Sequence, residues 1–340
     1  MARAFLRLLR ERTTAELYAV DVSFYTMAGL DTIEETNTFA ELFREFDVHF
    51  VNGIEPPHKM VQVPGGGLMF EQYLMPDAAV DVDEFVSVAV LKNHQFMGVT
   101  MALKNLFGLM PGAARPRHYY QHIERMPYML VDMGKMVNPT LNIIDGLVTQ
   151  AGREWGYKGE DFPRICNTLV AGDHIIATDA CGAYLMGHDP KADWLTPPFH
   201  RDRNPLLVAA EGGFGTVDLD EIDFESEVQA PVGEFFAVLT DRVEINISWR
   251  RTTAEQGLYY RDNRQKFYDQ YAGEFILLQQ GQVRWHDPSG NLRVSRRLLA
   301  GDNPDQAMFF KYVDPAETEG EHYEVYERTL RKEMAELAQM

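Results

Sequence analysis

Residues 85–112 read Phe-Val-Ser-Val-Ala-Val-Leu-Lys-Asn-His-Gln-Phe-Met-Gly-Val-Thr-Met-Ala-Leu-Lys-Asn-Leu-Phe-Gly-Leu-Met-Pro-Gly, and the fold turns on them. Phe85 to Leu91 is a near-continuous apolar run. Such a run suits a central parallel strand buried on both faces. It stops at Lys92, and Asn93 and His94 follow. In open α/β sheets ligands sit beyond the carboxyl ends of the strands, so Lys92 and His94 are expected at a site. A helix starting near Gly98 would bury Val99, Leu103 and Leu106. It would leave Thr100 and Lys104 one turn apart on another face, and Gly108 would end it.

Working outward, residues 3–12 predict a short helix and Leu17 to Val22 a strand. Thr38 and Glu41 make a capping box ahead of Phe39, Leu42, Phe43 and Phe46 at helical spacing. Val48–Val51, Leu141–Ile144 and Thr168–Ala171 are further strands. Asp173 is expected to cap a helix reaching about Met186, with Ala177, Ala180, Cys181 and Tyr184 inside. Val63 to Gly67 is a turn between strands and lacks the Gly-Lys-Ser/Thr ending of a phosphate loop. Trp194 to Pro205 is expected to be a surface loop. Helices alternating with short apolar strands predict an α/β fold: a mostly parallel sheet with flanking helices. After about residue 235 the texture changes to charged helices and short strands, Phe275–Leu278 and Val283–Trp285, with a turn at Asp287–Gly290. Tyr323, Tyr326, Leu330, Met334 and Leu337 then form a helical stripe. Residues 1–235 are therefore expected to form the α/β core and residues 236–340 a small C-terminal α+β appendage.

The chain has 32 Lys and Arg against 51 Asp and Glu, a formal charge of −19. That field repels phosphate backbones and anionic membranes, so neither nucleic acid nor membrane is an expected partner. Two cysteines, Cys166 and Cys181, are too few for a four-cysteine zinc site or a thiolate-held iron–sulfur cluster, and suit buried free thiols. No run approaches the ~20 apolar residues of a membrane span. Arginines interrupt the apolar N-terminus, unlike a signal peptide, and the expected location is cytoplasmic.

Two lysines and a histidine at one strand end form a local positive site in an acidic protein, suited to a carboxylate or phosphate. A lysine near other cations has a lowered pKa and can serve as nucleophile or base. The bland alternative leaves Lys104 solvated and His94 only capping the strand. His118 and His122, at i and i+4, share a helix face that could hold a metal. Asp145, just past a strand, could reach the same edge, and Asp179 lies on the helix after Asp173. His200-Arg201-Asp202 is not a kinase loop, because the required Asn is here Leu207.

The segment from Leu91 to Gly112 resembles the domain of unknown function 362 family, in its Lys92-x-His94, Thr100, Lys104-Asn105-Leu106-Phe107-Gly108 and Pro111-Gly112. The resemblance continues through Leu141–Gly146, through Asp173–Ala180 and to Gly213–Leu219, spanning about residues 15–225. It adds Asn105 to the candidate cofactor-binding set of Lys92, Thr100, Asp145 and Asp179. Family members usually begin with a further strand and a Lys-Pro-Asn segment, so Leu17–Val22 is expected to lie beside an unfilled or partner-filled position in the sheet. A fainter similarity is to lactate racemases, which hold a nickel pincer cofactor through a His and a Lys ten residues apart. His94 and Lys104 share that separation, but the Gly-Gly-Arg stretch of that family is missing. Together these predict an enzyme acting on a small anionic substrate or cofactor of unknown identity. His94 would be acid/base, Lys104 the anchor and Lys92 the electrostatic partner. The alternatives are a non-catalytic anion- or cofactor-binding protein serving a protein partner or homo-oligomer, and an inactive remnant lacking its first strand.

Overall fold

The computed structural model describes residues 1–21, 39–53, 56–111, 124–154, 161–239, 241–290, 296–301 and 308–337. The first helix, Ala2–Arg12, precedes strand β1 (Leu17–Asp21), which pairs in parallel with β2 (Val48–Asn52). Among the described residues between them is the short helix Ala40–Glu45, and Thr38 of the expected capping box lies outside the described residues. β3 (His58–Gln62) and β4 (Gln72–Pro76) form an antiparallel ribbon around the Val63–Gly67 turn. The amides just after that turn are used internally. Those of Leu68, Met69 and Phe70 donate to the buried carboxylate of Asp132, as does the Tyr73 hydroxyl. Gly67 is obligatory there, since a Cβ would meet the Phe70 carbonyl oxygen at 1.8 Å.

The central sheet has the order β6-β5-β7-β8, with β5 at Val86–His94, β6 at Gly98–Thr100, β7 at Leu141–Gly152 and β8 at Asp161–Gly172. The fold is α/β, but the expectation of a mostly parallel sheet is corrected. Only β5 and β7 run parallel in this sheet, and the β5–β6 and β7–β8 pairs are antiparallel. The reason is local. β7 and β8 are each twelve residues long and form a hairpin, instead of being joined by a helical crossover. Burial along β5 alternates: Ser87, Ala89, Leu91 and Asn93 face the core, whereas Val88 and Val90 are 37% and 42% exposed. The apolar run is thus a half-covered strand, not one buried on both faces.

Helices Ala102–Asn105 and Ile175–Leu185 cover the inner face. The second is buried nearly all round, which fits its uniformly apolar sequence. His174, not Asp173, caps it, accepting from the Ile176 amide, and Tyr184 points outward at 42% exposure. Trp194–Asn204 has no helix or extended strand but is not a surface loop. Phe199, Asp202, Arg203 and Asn204 are all buried.

Helices Arg125–Val137 and Pro205–Glu211 pack together. Further on, Val243–Asp262 leads to a three-stranded antiparallel sheet. It is built from β9 (Phe275–Gln279), β10 (Gln282–Asp287) and β11 (Phe309–Tyr312), with β9 central and fully buried. The Tyr323–Leu337 stripe forms on helix Glu324–Arg328, which continues through a π-helical turn to Leu337. One apolar cluster joins Leu91 and Met101 of the central sheet region to Phe309 and Tyr326.

Candidate functional site

The β5–β6 hairpin builds the site. Gly98 has φ of +72°, and a Cβ there would meet the Phe199 ring at 2.6 Å, so the tight return depends on glycine. This return corrects the expectation of a helix from Gly98. Residues 98–100 are a strand, and the helix begins only at Ala102. Thr100 therefore lies directly across from Lys92 on the same sheet face, and Gly98 across from His94. Lys104 follows on the short helix. Asp179 holds that helix by accepting from the Ala102 and Leu103 amides at 2.8 and 2.9 Å. Burial pushes the Asp179 pKa up to about 7. Asp179 thus caps the start of the Lys104 helix.

His94 is 8% exposed. Its Nδ1 accepts the amides of Phe96 and Met97 at 3.0 and 3.2 Å, which places the ring proton on Nε2. Nε2 faces Glu154 Oε1 at 3.5 Å. Burial lowers the imidazole pKa well below its usual value, and the nearby Lys104, Arg201 and Lys92 lower it further. The ring is therefore neutral. Glu154 follows the end of β7. Its other carboxylate oxygen accepts from the Gln95 amide at 3.1 Å, and its backbone carbonyl accepts from Lys92 Nζ at 3.2 Å. Burial lowers the Lys92 pKa, partly offset by the Glu154 charge. Lys104 lies over the Phe107 ring at 4.2 Å, and Arg201 over the Phe96 ring at 3.8 Å. Arg201 is also held by Asp202.

Lys92 and His94 thus lie on one hairpin at the carboxyl end of β5, and Lys104, on the helix that follows, is near enough to act on His94 electrostatically. The other candidates do not all join them. Asn105 donates to Ser87 Oγ and the Val88 carbonyl along the strand. Asp145 pairs in register with Val90 on the outer face and accepts from the Leu147 amide. His118 and His122 lie outside the described residues. Among the described residues no group of three or more His, Cys, Asp or Glu side chains could hold a metal ion. Sequence reasoning missed Glu154 and Arg201. Each sits in a loop far along the chain from His94, and the one local signal was Arg201 beside the Pro-Pro-Phe bend.

The matched family model, Domain of unknown function (DUF362), covers residues 1–184, and the chain belongs to that family. It is 31% identical over 127 residues to a thylakoid-associated protein of Synechocystis sp.. The match covers 36% of this chain and 38% of that relative. No solved structure matches. Among the described residues no helix is long and apolar enough to cross a membrane.

Proposed function

We propose that the protein is a cytoplasmic enzyme acting on a small anion held at the β5–β6 hairpin, with Glu154 moving the proton. The observation that supports this is the neutral His94 with Lys92, Lys104 and Arg201 near it and the Glu154 carboxylate at its Nε2. The expectation that His94 itself is the acid/base is revised. Its Nδ1 lone pair is used by two amides, so it has no accessible basic position. His94 Nε2–H and the Gln95 amide instead orient Glu154. Lys92 and Lys104 would bind the anion and stabilise charge developing on it. The lactate racemase likeness fits less well, because a metal at His94 Nε2 would have to displace Glu154. Residues 236–340 form, in this reading, an appendage that braces the core.

The test is calorimetric titration of the native chain with acetate and inorganic phosphate. Millimolar or tighter binding is expected, lost in Lys92→Met and Lys104→Met. In Glu154→Gln, binding is expected to survive while turnover in a proton-exchange assay is lost. Failure of every anion to bind would defeat the reading. Anion binding with no turnover in the native chain would favour the non-catalytic alternative.

A further inference from the structure

The face of the sheet that carries Lys92 is apolar just beyond it. On β5 the preceding residues on that side are Val90 and Val88, 42% and 37% exposed. Val90 is in register with Asp145, which pairs in turn with Leu169, 55% exposed. Val88 is flanked by Ile143 and then Ala171. Three adjacent strands thus offer an aliphatic surface on which Asp145 is the one acid among the described strand residues, in a chain of net charge −19. At its end stand two polar groups short of partners. The Thr100 hydroxyl is buried without a hydrogen-bond partner, and the described hydrogen bond of the opposite, largely buried Lys92 ammonium goes to the Glu154 carbonyl. A buried hydroxyl without a partner and an ammonium whose described hydrogen bond is to a carbonyl both call for an acceptor. The aliphatic face calls for cover.

We infer that the anion of this site is an amphiphile: a carboxylate head on Lys92 and Thr100, and an alkyl body along Val90, Val88 and Leu169. This rests on the anion-site reading and names its substrate class. A second copy of this acidic chain would bring like charges together, and an anionic lipid surface would meet the same repulsion. A single-chain amphiphile brings one negative charge, to the place where a cation waits.

The experiment titrates the native chain with acetate, hexanoate, octanoate and decanoate, the last below its micelle concentration. Affinity is expected to rise about threefold per added methylene where the chain lies on the face. Val90→Asp and, as a second variant, Leu169→Asp are expected to abolish that rise. Lys92→Met is expected to weaken every carboxylate at least tenfold. Decylammonium, with the same tail and the opposite charge, is expected not to bind. Equal affinity for acetate and decanoate would overturn this inference and leave the small-anion site standing. No binding by any of them would remove both. Equal binding of decanoate and decylammonium would overturn the inference. So would a native dimer that Val90→Asp converts to monomer.

Discussion

Two buried charged regions of this molecule are built on opposite principles. On helix Val243–Asp262, Arg250 is fully buried and meets Glu124 at 3.2 Å, Asp202 at 3.2 Å and Glu333 at 2.5 Å. Arg203 beside it is bound by Asp193 and Glu211. Nearby, Arg125 and Lys311 share Glu321, whose carboxyl is held down to about 2 despite burial. Every cation there has carboxylates. Around His94 the arrangement differs: Lys92, Lys104 and Arg201 lie near a neutral ring, Glu154 stands at its Nε2, and the described hydrogen bond of Lys92 goes to a carbonyl and not to a carboxylate. Matched charges fix structure, because each repays the desolvation of the other. A largely buried ammonium such as Lys92, whose described hydrogen bond is to a carbonyl, carries a larger desolvation cost, which an incoming anion would relieve.

The largest expected effect breaks the matched region. Arg250→Met leaves three acids facing one another in the interior. It should cost about 3–5 kcal/mol in urea denaturation. A loss below about 1 kcal/mol would show that the network is not structural. The next effect depends on pH. Three acids share one guanidinium, and burial pushes the Glu124 carboxyl up to about 8. A folded pKa raised above the unfolded one means that the native state binds more protons between them. Its stabilising share is complete below about 4.5 and lost as pH rises through about 8. Wild type should therefore lose about 2–4 kcal/mol between pH 5 and 9, and Glu124→Gln should lose less. Equal pH slopes for the two would refute this. Asp179→Asn, which weakens the cap on the Lys104 helix, should cost about 1–2 kcal/mol and loosen anion binding severalfold. Unchanged thermal stability and unchanged affinity would show that the helix holds itself.

The matched region was nearly illegible in the sequence. Glu124, Asp202, Arg250 and Glu333 come from four distant segments, and no local spacing links them. Charge and proline made Trp194–Pro205 look like a surface loop, although its charges are the buried ones. The site was far more legible, since Lys92, His94 and Lys104 lie within thirteen consecutive residues on a strand end. Its geometry was still partly misread. The i, i+4 spacing of Thr100 and Lys104 suits a helix, and only the close approach of Phe199 to Gly98 reveals the hairpin. Strand parallelism failed for a related reason. Alternation reports that β8 is a strand, but direction depends on the loop before it. The long β7–β8 pair is a hairpin, and only the end of β8 had been read as a strand.

The smallest expected effect on stability is also the sharpest test of the comparison, because its sign is opposite to that of Arg250. Lys92 is an ammonium drawn largely out of water, with a carbonyl as its hydrogen-bond partner and the Glu154 charge as partial compensation. Its lowered pKa states the same imbalance: the folded protein holds this proton less tightly than the unfolded chain does. Between the lowered folded value and the ordinary 10.5, the unfolded state binds more protons, so stability rises with pH across that window. Below it the cost is present in full. Lys92→Met keeps the length of the stem and removes the charge. At pH 7 the variant should be unchanged or up to about 1 kcal/mol more stable, and its advantage should shrink as pH approaches 10. Anion binding should be lost in the same variant. Urea denaturation at pH 7 and 10 decides the matter. A Lys92→Met protein that is clearly less stable at pH 7 would make Lys92 a structural cation like Arg250, and the contrast between the two regions would collapse.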